Sequence, residues 1–197
     1  MASSTRVPAT EITGIYGALL KTMSRKMLGQ VPDAAGVMWH YPAVFKDMMK
    51  FGRRTDSWNR LDPNLASFAA MDAAGAIGCS FCLDLHYFMT HNRGLDEAKA
   101  RQVPRWREST AFTPLERRVM EYAEAMSRTP PTVTDEMSAA LLDELGAPAL
   151  IELTARIGTM NLTARGNVAL GIRSQEFSAS CGLPPLAAPS AEGVAST

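Results

Sequence analysis

The stretch over residues 78–86 contains two of the three cysteines and one of the three histidines of the chain. Cys79, Cys82 and His86 have the spacing Cys-x-x-Cys-x-x-x-His. Residues three and four positions apart lie on the same face of a helix, so this spacing predicts that two thiols and an imidazole converge. Thiols carry redox chemistry and imidazole transfers protons, and the stretch is therefore the candidate site.

The chemistry expected of this site depends on ionisation of a thiol. A free cysteine titrates near 8.5, and only its thiolate is a nucleophile. At a helix N-terminus the dipole and free N–H groups would stabilise a Cys79 thiolate, and His86 can exchange a proton with Cys82. Either thiolate can attack a peroxide oxygen to form a sulfenic acid, which the second thiol converts to a disulfide. An external dithiol reductant would then restore the pair.

The motif from Gly78 to His86 resembles the signature of the carboxymuconolactone decarboxylase family, in its alkylhydroperoxidase-D-like branch. Further similarity lies at residues 92–97, 113–117 and 150–167, within a region of roughly 61–172. The resemblance implies an all-α fold, a thiol-dependent antioxidant peroxidase or dithiol–disulfide oxidoreductase with no bound organic cofactor, and a homo-oligomer, commonly a trimer or a multiple of one.

The sequence offers two candidates for the attacking cysteine and two for the proton relay. Helix position favours Cys79 as the nucleophile, whereas the resemblance implies that Cys82 attacks and Cys79 resolves, and we favour Cys82. The family usually has a glutamate twelve residues before the first motif cysteine, and Ser67 occupies that position here. Ser67 can pass a proton but is a poor base, so Asp72, the nearest upstream acid, is a second candidate relay group.

Two other functions remain open. The name-giving decarboxylases of the family act on a lactone acid without a Cys-x-x-Cys pair, so a non-redox enzyme acting on a small carboxylic or lactone metabolite is one alternative. The other is a metal-binding helical oligomer, since two thiolates and an imidazole suit zinc. His91, His40 or Cys181 would have to supply a fourth ligand, and one straight helix holds three ligands awkwardly. We therefore predict no metal site.

Several other residues that could carry chemistry are expected to be structural. Asp84 faces away from the motif, which predicts a solvated side chain or a local ion pair. Arg165 and Asn167 are expected to pack or form structural hydrogen bonds. His40, flanked by two aromatic residues, is expected in a surface or interface cluster, and Cys181 as a free thiol without a role.

Composition excludes several classes of function. The chain is 46% hydrophobic and 20% charged, and its 20 basic residues balance 20 acidic ones. Nothing therefore predicts binding to nucleic acid or to an anionic membrane surface. No apolar run approaches the roughly 20 residues of a membrane span, and no secretion signal is recognisable. A secreted protein with a disulfide framework would normally have more cysteines than three, and an even number of them. The cysteine content therefore favours a reducing compartment and a cytoplasmic location.

The chain shows apolar residues at helical spacing, with cap residues and prolines at the expected helix ends. It contains no convincing run of alternating β-branched residues. Helices are predicted over residues 10–28, 42–52, 62–72, 79–91, 95–102, 114–127, 134–145 and 148–172, with residues 32–36 in a loop. The fold class is therefore all-α, a single-domain bundle of about seven or eight helices.

The predicted organisation has four parts. Residues 1–9 form a disordered N-terminus, 10–60 a helical extension, 61–173 the carboxymuconolactone decarboxylase-like domain and 182–197 a disordered tail. The first helix carries an apolar stripe that we expect to face the core or another subunit. This stripe consists of Ile12, Ile15, Leu19, Met23 and Met27.

Overall fold

The computed structural model describes residues 5–188, and over that range every regular element is helical. This confirms the predicted fold class. The elements are α1 (Gly14–Leu28), α2 (Asp33–Met38), α3 (Pro42–Asp56), α4 (Pro63–Ile77), α5 (Ser80–Asn92), α6 (Glu97–Ala100), a 3-10 helix (Val103–Arg105), α7 (Pro114–Ser127), α8 (Asp135–Leu170) and α9 (Phe177–Ser180). Nine α-helices thus lie within the described residues, and none of these is long and apolar enough to cross a membrane.

Helix α4 is the centre of the bundle and packs against α5, α7 and α8. The Asp62 side chain caps its first turn by accepting hydrogen bonds from the N–H groups of Asn64 and Leu65, and Pro63 occupies the first position. Its middle is rich in buried alanines, which allow the neighbouring helices to approach closely. Gly78 ends the helix at φ 79°, a left-handed conformation that favours glycine.

This left-handed turn at Gly78 leads directly into α5. Cys79 is the N-cap residue of α5, and its sulfur accepts a hydrogen bond from the N–H of Cys82. Helix α5 therefore starts one residue later than predicted. The turn also means that α4 and α5 are separate helices, so that residues before and after it share no helical face.

The long helix α8 contains one break. Gly146 has φ 74° and ψ 161° there, which separates the two segments that the sequence predicted as two helices. The second segment begins around Pro148 and buries a stripe against α4 and α7. This stripe consists of Leu153, Ile157, Met160 and Ala164.

The N-terminal region differs from the prediction. Thr10 does not cap a helix, because its N–H donates to the carbonyl of Gly36 and the preceding chain packs on α2. The helix starts at Gly14 instead, and the predicted loop at residues 32–36 is largely helical as α2. Ile12 is buried before the helix begins, but the rest of the apolar stripe lies at the surface of this chain. Ile15 is 93% exposed and Leu19 56% exposed.

Residues 5–9, predicted to be disordered, pack against the C-terminal end of α8. The Arg6 N–H donates to the carbonyl of Leu170, and the Arg6 guanidinium donates to the two preceding carbonyls. The end of a helix leaves carbonyls without partners, and this segment supplies donors to them. Residues 1–4 lie outside the described part of the chain.

Residues 182–188 also differ from the predicted disordered tail. The Tyr87 hydroxyl donates to the carbonyl of Pro184, and Leu183 is buried in an apolar cluster with α5 and α7. The composition of the tail predicted solvation, but its few apolar groups find a surface on the bundle. The remainder of that predicted tail, residues 189–197, is outside the described range.

Candidate active site

The structure brings the two motif cysteines together at the start of α5. The sulfurs of Cys79 and Cys82 are 2.8 Å apart, and both residues are buried, with 1% and 4% of their surface exposed. A disulfide bond needs sulfurs about 2.05 Å apart, so a small movement would close the bond. The pair is therefore arranged for reversible oxidation.

The two thiols of this pair differ in pKa. The hydrogen bond between the two sulfurs, together with the Cys82 backbone N–H, lowers the pKa of Cys79 to about 7, although burial opposes the change. The same hydrogen bond and burial raise the pKa of Cys82. At neutral pH the thiolate is thus favoured on Cys79 and the proton on Cys82. This agrees with the argument from helix position and runs against our preference for Cys82 as the attacking residue.

Asn167, expected from the sequence to have a structural role, is a residue of the site. Its side-chain amide donates a hydrogen bond to the sulfur of Cys82 across 3.3 Å. The neighbouring Arg165 binds the carbonyl of Ser127 and ties α8 to α7, in a structural role. Both residues belong to the family-like closing helix, but periodicity alone could not show which of them reaches α5.

His86 lies one turn after Cys82 on α5. Burial, reinforced by the positive charges of Arg93 and Arg156, lowers its pKa from 6.5 to about 4, and the opposing effect of Asp56 is smaller. The imidazole is therefore neutral at pH 7, and its unprotonated nitrogen can accept a hydrogen bond. Among the hydrogen bonds of residues 5–188, none joins its ring to either sulfur.

A cavity of about 640 Å³ opens beside His86, between α1, α3, α4, α5 and α8. Ser67 lines the same cavity, and its hydroxyl is 2.6 Å from that of Thr90, which in turn donates to the backbone carbonyl of His86. Ser67 is thus next to the helical turn that carries the imidazole. Neither Cys79 nor Cys82 is among the residues that line this cavity.

Asp72 also lies on α4, but it does not line this cavity. Its surroundings are Trp106, Arg107 and Glu124, and within the described residues one of its carboxylate oxygens has no hydrogen-bond partner. Burial, with a smaller effect of Glu124, raises the pKa of Asp72 well above 3.8. The structure does not bring Asp72 to the thiols, because the left-handed turn at Gly78 ends the helical register that the two would otherwise share.

The expectation for Asp84 is wrong. This carboxylate is buried and accepts hydrogen bonds from the hydroxyls of Ser174 and Ser178 and from the N–H groups of Phe177 and Ser178. It does face away from the motif, as predicted. A solvated side chain was expected because the segment that covers it, around α9, is far away in sequence.

The three candidates for a fourth metal ligand are held elsewhere. His91 pairs with Glu97 at 2.7 Å, His40 hydrogen-bonds the carbonyl of Pro8, and Cys181 is exposed at the end of α9. Over residues 5–188 no three or more histidine, cysteine or acidic side chains are grouped so that they could hold a metal ion.

Comparison with known proteins supports the resemblance. The model of the carboxymuconolactone decarboxylase family matches residues 42–125, which include the motif. The uncharacterized protein YnjA of Escherichia coli (strain K12) is 42% identical over 115 residues, which are 58% of this chain and 63% of YnjA. The match therefore spans less than two thirds of that relative.

Solved structures show the same fold. The debrominase Bmp8 in complex with 2,3,4-tribromopyrrole superposes with a TM-score of 0.77 and 18% identity, over 90% of this chain and 96% of Bmp8. The alkylhydroperoxidase AhpD core of a peroxidase-related protein from Ralstonia eutropha JMP134 gives a TM-score of 0.77 and 16% identity, again over 90% of this chain and 96% of the other.

Proposed function

We propose that this protein is a thiol-dependent oxidoreductase that reduces a peroxide or exchanges a disulfide through Cys79 and Cys82. The observation that carries the proposal is the 2.8 Å separation of two sulfurs of unequal pKa at the start of a helix. The likeness to a peroxidase-related protein is consistent with this chemistry, although it extends only to the fold.

The proposed reaction has two steps. The Cys79 thiolate attacks the outer oxygen of a hydroperoxide; an S–O bond forms, the O–O bond breaks, and the departing alkoxide takes the proton of the Cys82 thiol. The Cys82 thiolate then attacks the sulfenic sulfur, so that the disulfide forms and hydroxide leaves. Neutral His86, one turn from Cys82, would relay the proton from the thiol to the alkoxide in the first step. Two electrons from an external dithiol reductant regenerate the pair.

Mass spectrometry of the native protein tests the proposal. The exposed Cys181 is first replaced in a Cys181→Ser variant, so that only the buried pair can react. Stoichiometric hydrogen peroxide is expected to remove two hydrogens, mapped to Cys79 and Cys82, and a dithiol is expected to restore them. Unreactive thiols would overturn the proposal, and thiols masked by stoichiometric zinc would favour the metal-binding alternative.

One observation favours a second candidate function. His86 lines the cavity whereas neither sulfur does, an arrangement that suits non-redox chemistry on a small lactone metabolite. In that case Cys79→Ser and Cys82→Ser would leave turnover nearly unchanged, whereas His86→Gln would abolish it. If turnover depends on the thiols, both serine variants should lose it.

The resemblance also implies assembly, and the cysteine content favours a reducing compartment. We therefore include a homo-oligomer, a trimer or a multiple, and a cytoplasmic location in the proposal. The exposed apolar side chains of Ile15 and Leu19 on α1 support assembly, because burial against another copy would remove them from water. Light scattering should show a smaller species for Ile15→Lys. The control Leu142→Lys, at an exposed apolar position on α8, should leave the mass unchanged.

A further inference from the structure

We infer that the cavity beside His86 is a binding site for a neutral, largely apolar organic molecule. Its volume of about 640 Å³ lies within the range of small-molecule sites. If the proposed thiol chemistry holds, this molecule is the organic part of the substrate. The binding itself does not depend on that chemistry.

The walls of the cavity are mainly apolar and include five methionines from four helices. These are Met23, Met27, Met49, Met89 and Met160. The methionine side chain is unbranched and polarizable, and so it adapts to irregular apolar shapes. Met23 and Met49 are 49% and 39% exposed, so an apolar ligand would remove them from water.

The charged groups of the cavity are largely paired. Arg156 forms an ion pair with Glu152 at 2.8 Å, and Arg93 forms one with Asp56 at 3.1 Å. Arg53 is exposed to solvent at the C-terminal end of α3, where water and salt screen its charge. A carboxylate that entered the apolar part of the cavity would lose its hydration without a free partner there, which favours a neutral ligand.

The His86 ring is the polar group that the cavity offers to such a ligand. It lies on the cavity wall next to Leu85, and within residues 5–188 no hydrogen bond occupies its nitrogens. A hydroxyl or hydroperoxyl group could therefore hydrogen-bond to it. Because Cys82 is one turn earlier on α5, a ligand bound in this way would place its oxygen on the side of the helix that leads to the thiols.

Calorimetry on the Cys79→Ser/Cys82→Ser double variant tests the inference without thiol chemistry. The probe is 2-phenylpropan-2-ol, the neutral alcohol formed from cumene hydroperoxide. Its matched anion is 2-methyl-2-phenylpropanoate, in which a carboxylate replaces the hydroxyl. We expect saturable binding of one alcohol per chain and at least tenfold weaker binding of the carboxylate.

A cavity-filling variant supplies the second test. Gly52 lines the cavity from α3, and a Cβ added there would meet no atom within 4 Å, so Gly52→Leu can extend into the space without a clash at its Cβ. The control is Gly158→Leu, which is equally open, lies on α8 and does not line the cavity. Gly52→Leu should weaken binding of the alcohol at least tenfold, and Gly158→Leu should leave it unchanged.

Three results would overturn the inference: no saturable binding of the alcohol, equal or tighter binding of the carboxylate, or unchanged binding in a folded Gly52→Leu protein. Its failure is distinct from failure of the proposed function. If peroxide forms the Cys79–Cys82 disulfide but the alcohol does not bind, only the cavity inference fails. If the alcohol binds but the disulfide does not form, only the thiol chemistry fails.

Discussion

The side-chain amide of Asn167 donates to the sulfur of Cys82 across 3.3 Å, and this contact joins residues 85 positions apart in the chain. The amide lowers the pKa of both cysteines, since it stabilises negative charge on the sulfur pair. Asn167 thus contributes to thiol ionisation from the last turns of α8, although it belongs to a different part of the sequence from the motif.

Replacing this amide should make the thiols less acidic. A hydrogen bond to a charged group contributes roughly 1.5–3 kcal/mol, so Asn167→Ala should raise the pKa of the reactive thiol by about one to two units. Thiolate absorbance as a function of pH measures the change. Asn161→Ala is the control, because that amide, on the same helix, bonds the Ser127 hydroxyl instead. An identical shift in both variants would argue for a general loosening of α8.

The order of attack should follow the charge. In Cys82→Ser, stoichiometric peroxide should produce a sulfenic acid on Cys79, which a dimedone adduct would trap and mass spectrometry would locate. Cys79→Ser should form an adduct on Cys82 severalfold more slowly at pH 7, because burial still raises the pKa of Cys82 in that variant. The reverse ranking would support the order that the family resemblance implies.

His86 should make the protein less stable in acid. Its pKa is lowered to about 4 in the folded protein, against about 6.5 when unfolded, so between these values the unfolded state binds more protons. The free energy of unfolding should therefore fall as the pH decreases from 6.5 to 4. We expect a loss of about 1–2 kcal/mol after allowance for solvent in the cavity. Urea unfolding of His86→Gln at both pH values should show a loss smaller by this amount.

Asp72 should affect stability and leave catalysis unchanged. Because its pKa is raised by burial, the folded state favours the protonated acid, and stability should fall as the pH rises above 4 toward the raised pKa. Asp72→Asn, neutral at every pH, should be more stable than the parent at pH 8 by roughly 1–2 kcal/mol. Peroxide turnover should stay unchanged, since the contacts of Asp72 lie elsewhere. A tenfold loss of turnover would instead establish the proton relay that we considered from the sequence.

Sequence spacing by itself was sufficient for the helical class and for the pairing of Cys79 with Cys82. Both follow from local physics: caps, prolines and helical periodicity act over a few residues, and a Cys-x-x-Cys spacing at a helix start brings two sulfurs onto one turn. The predictions for α7 were equally local, with Thr113 and Glu116 forming the capping box that the sequence indicates.

The distant contacts of the site, and the exposure of each helix face, depend on tertiary structure. The partners of Asp84 and Cys82 come from segments about 90 positions away, and no local pattern records which distant donor reaches a side chain. The same holds for α1, whose apolar spacing indicated a helix but not whether its stripe would be buried. Local sequence sets the conformation of a segment, whereas the partner of each surface depends on how all the segments pack, and this packing placed His86 at a cavity and Asn167 on the thiol pair.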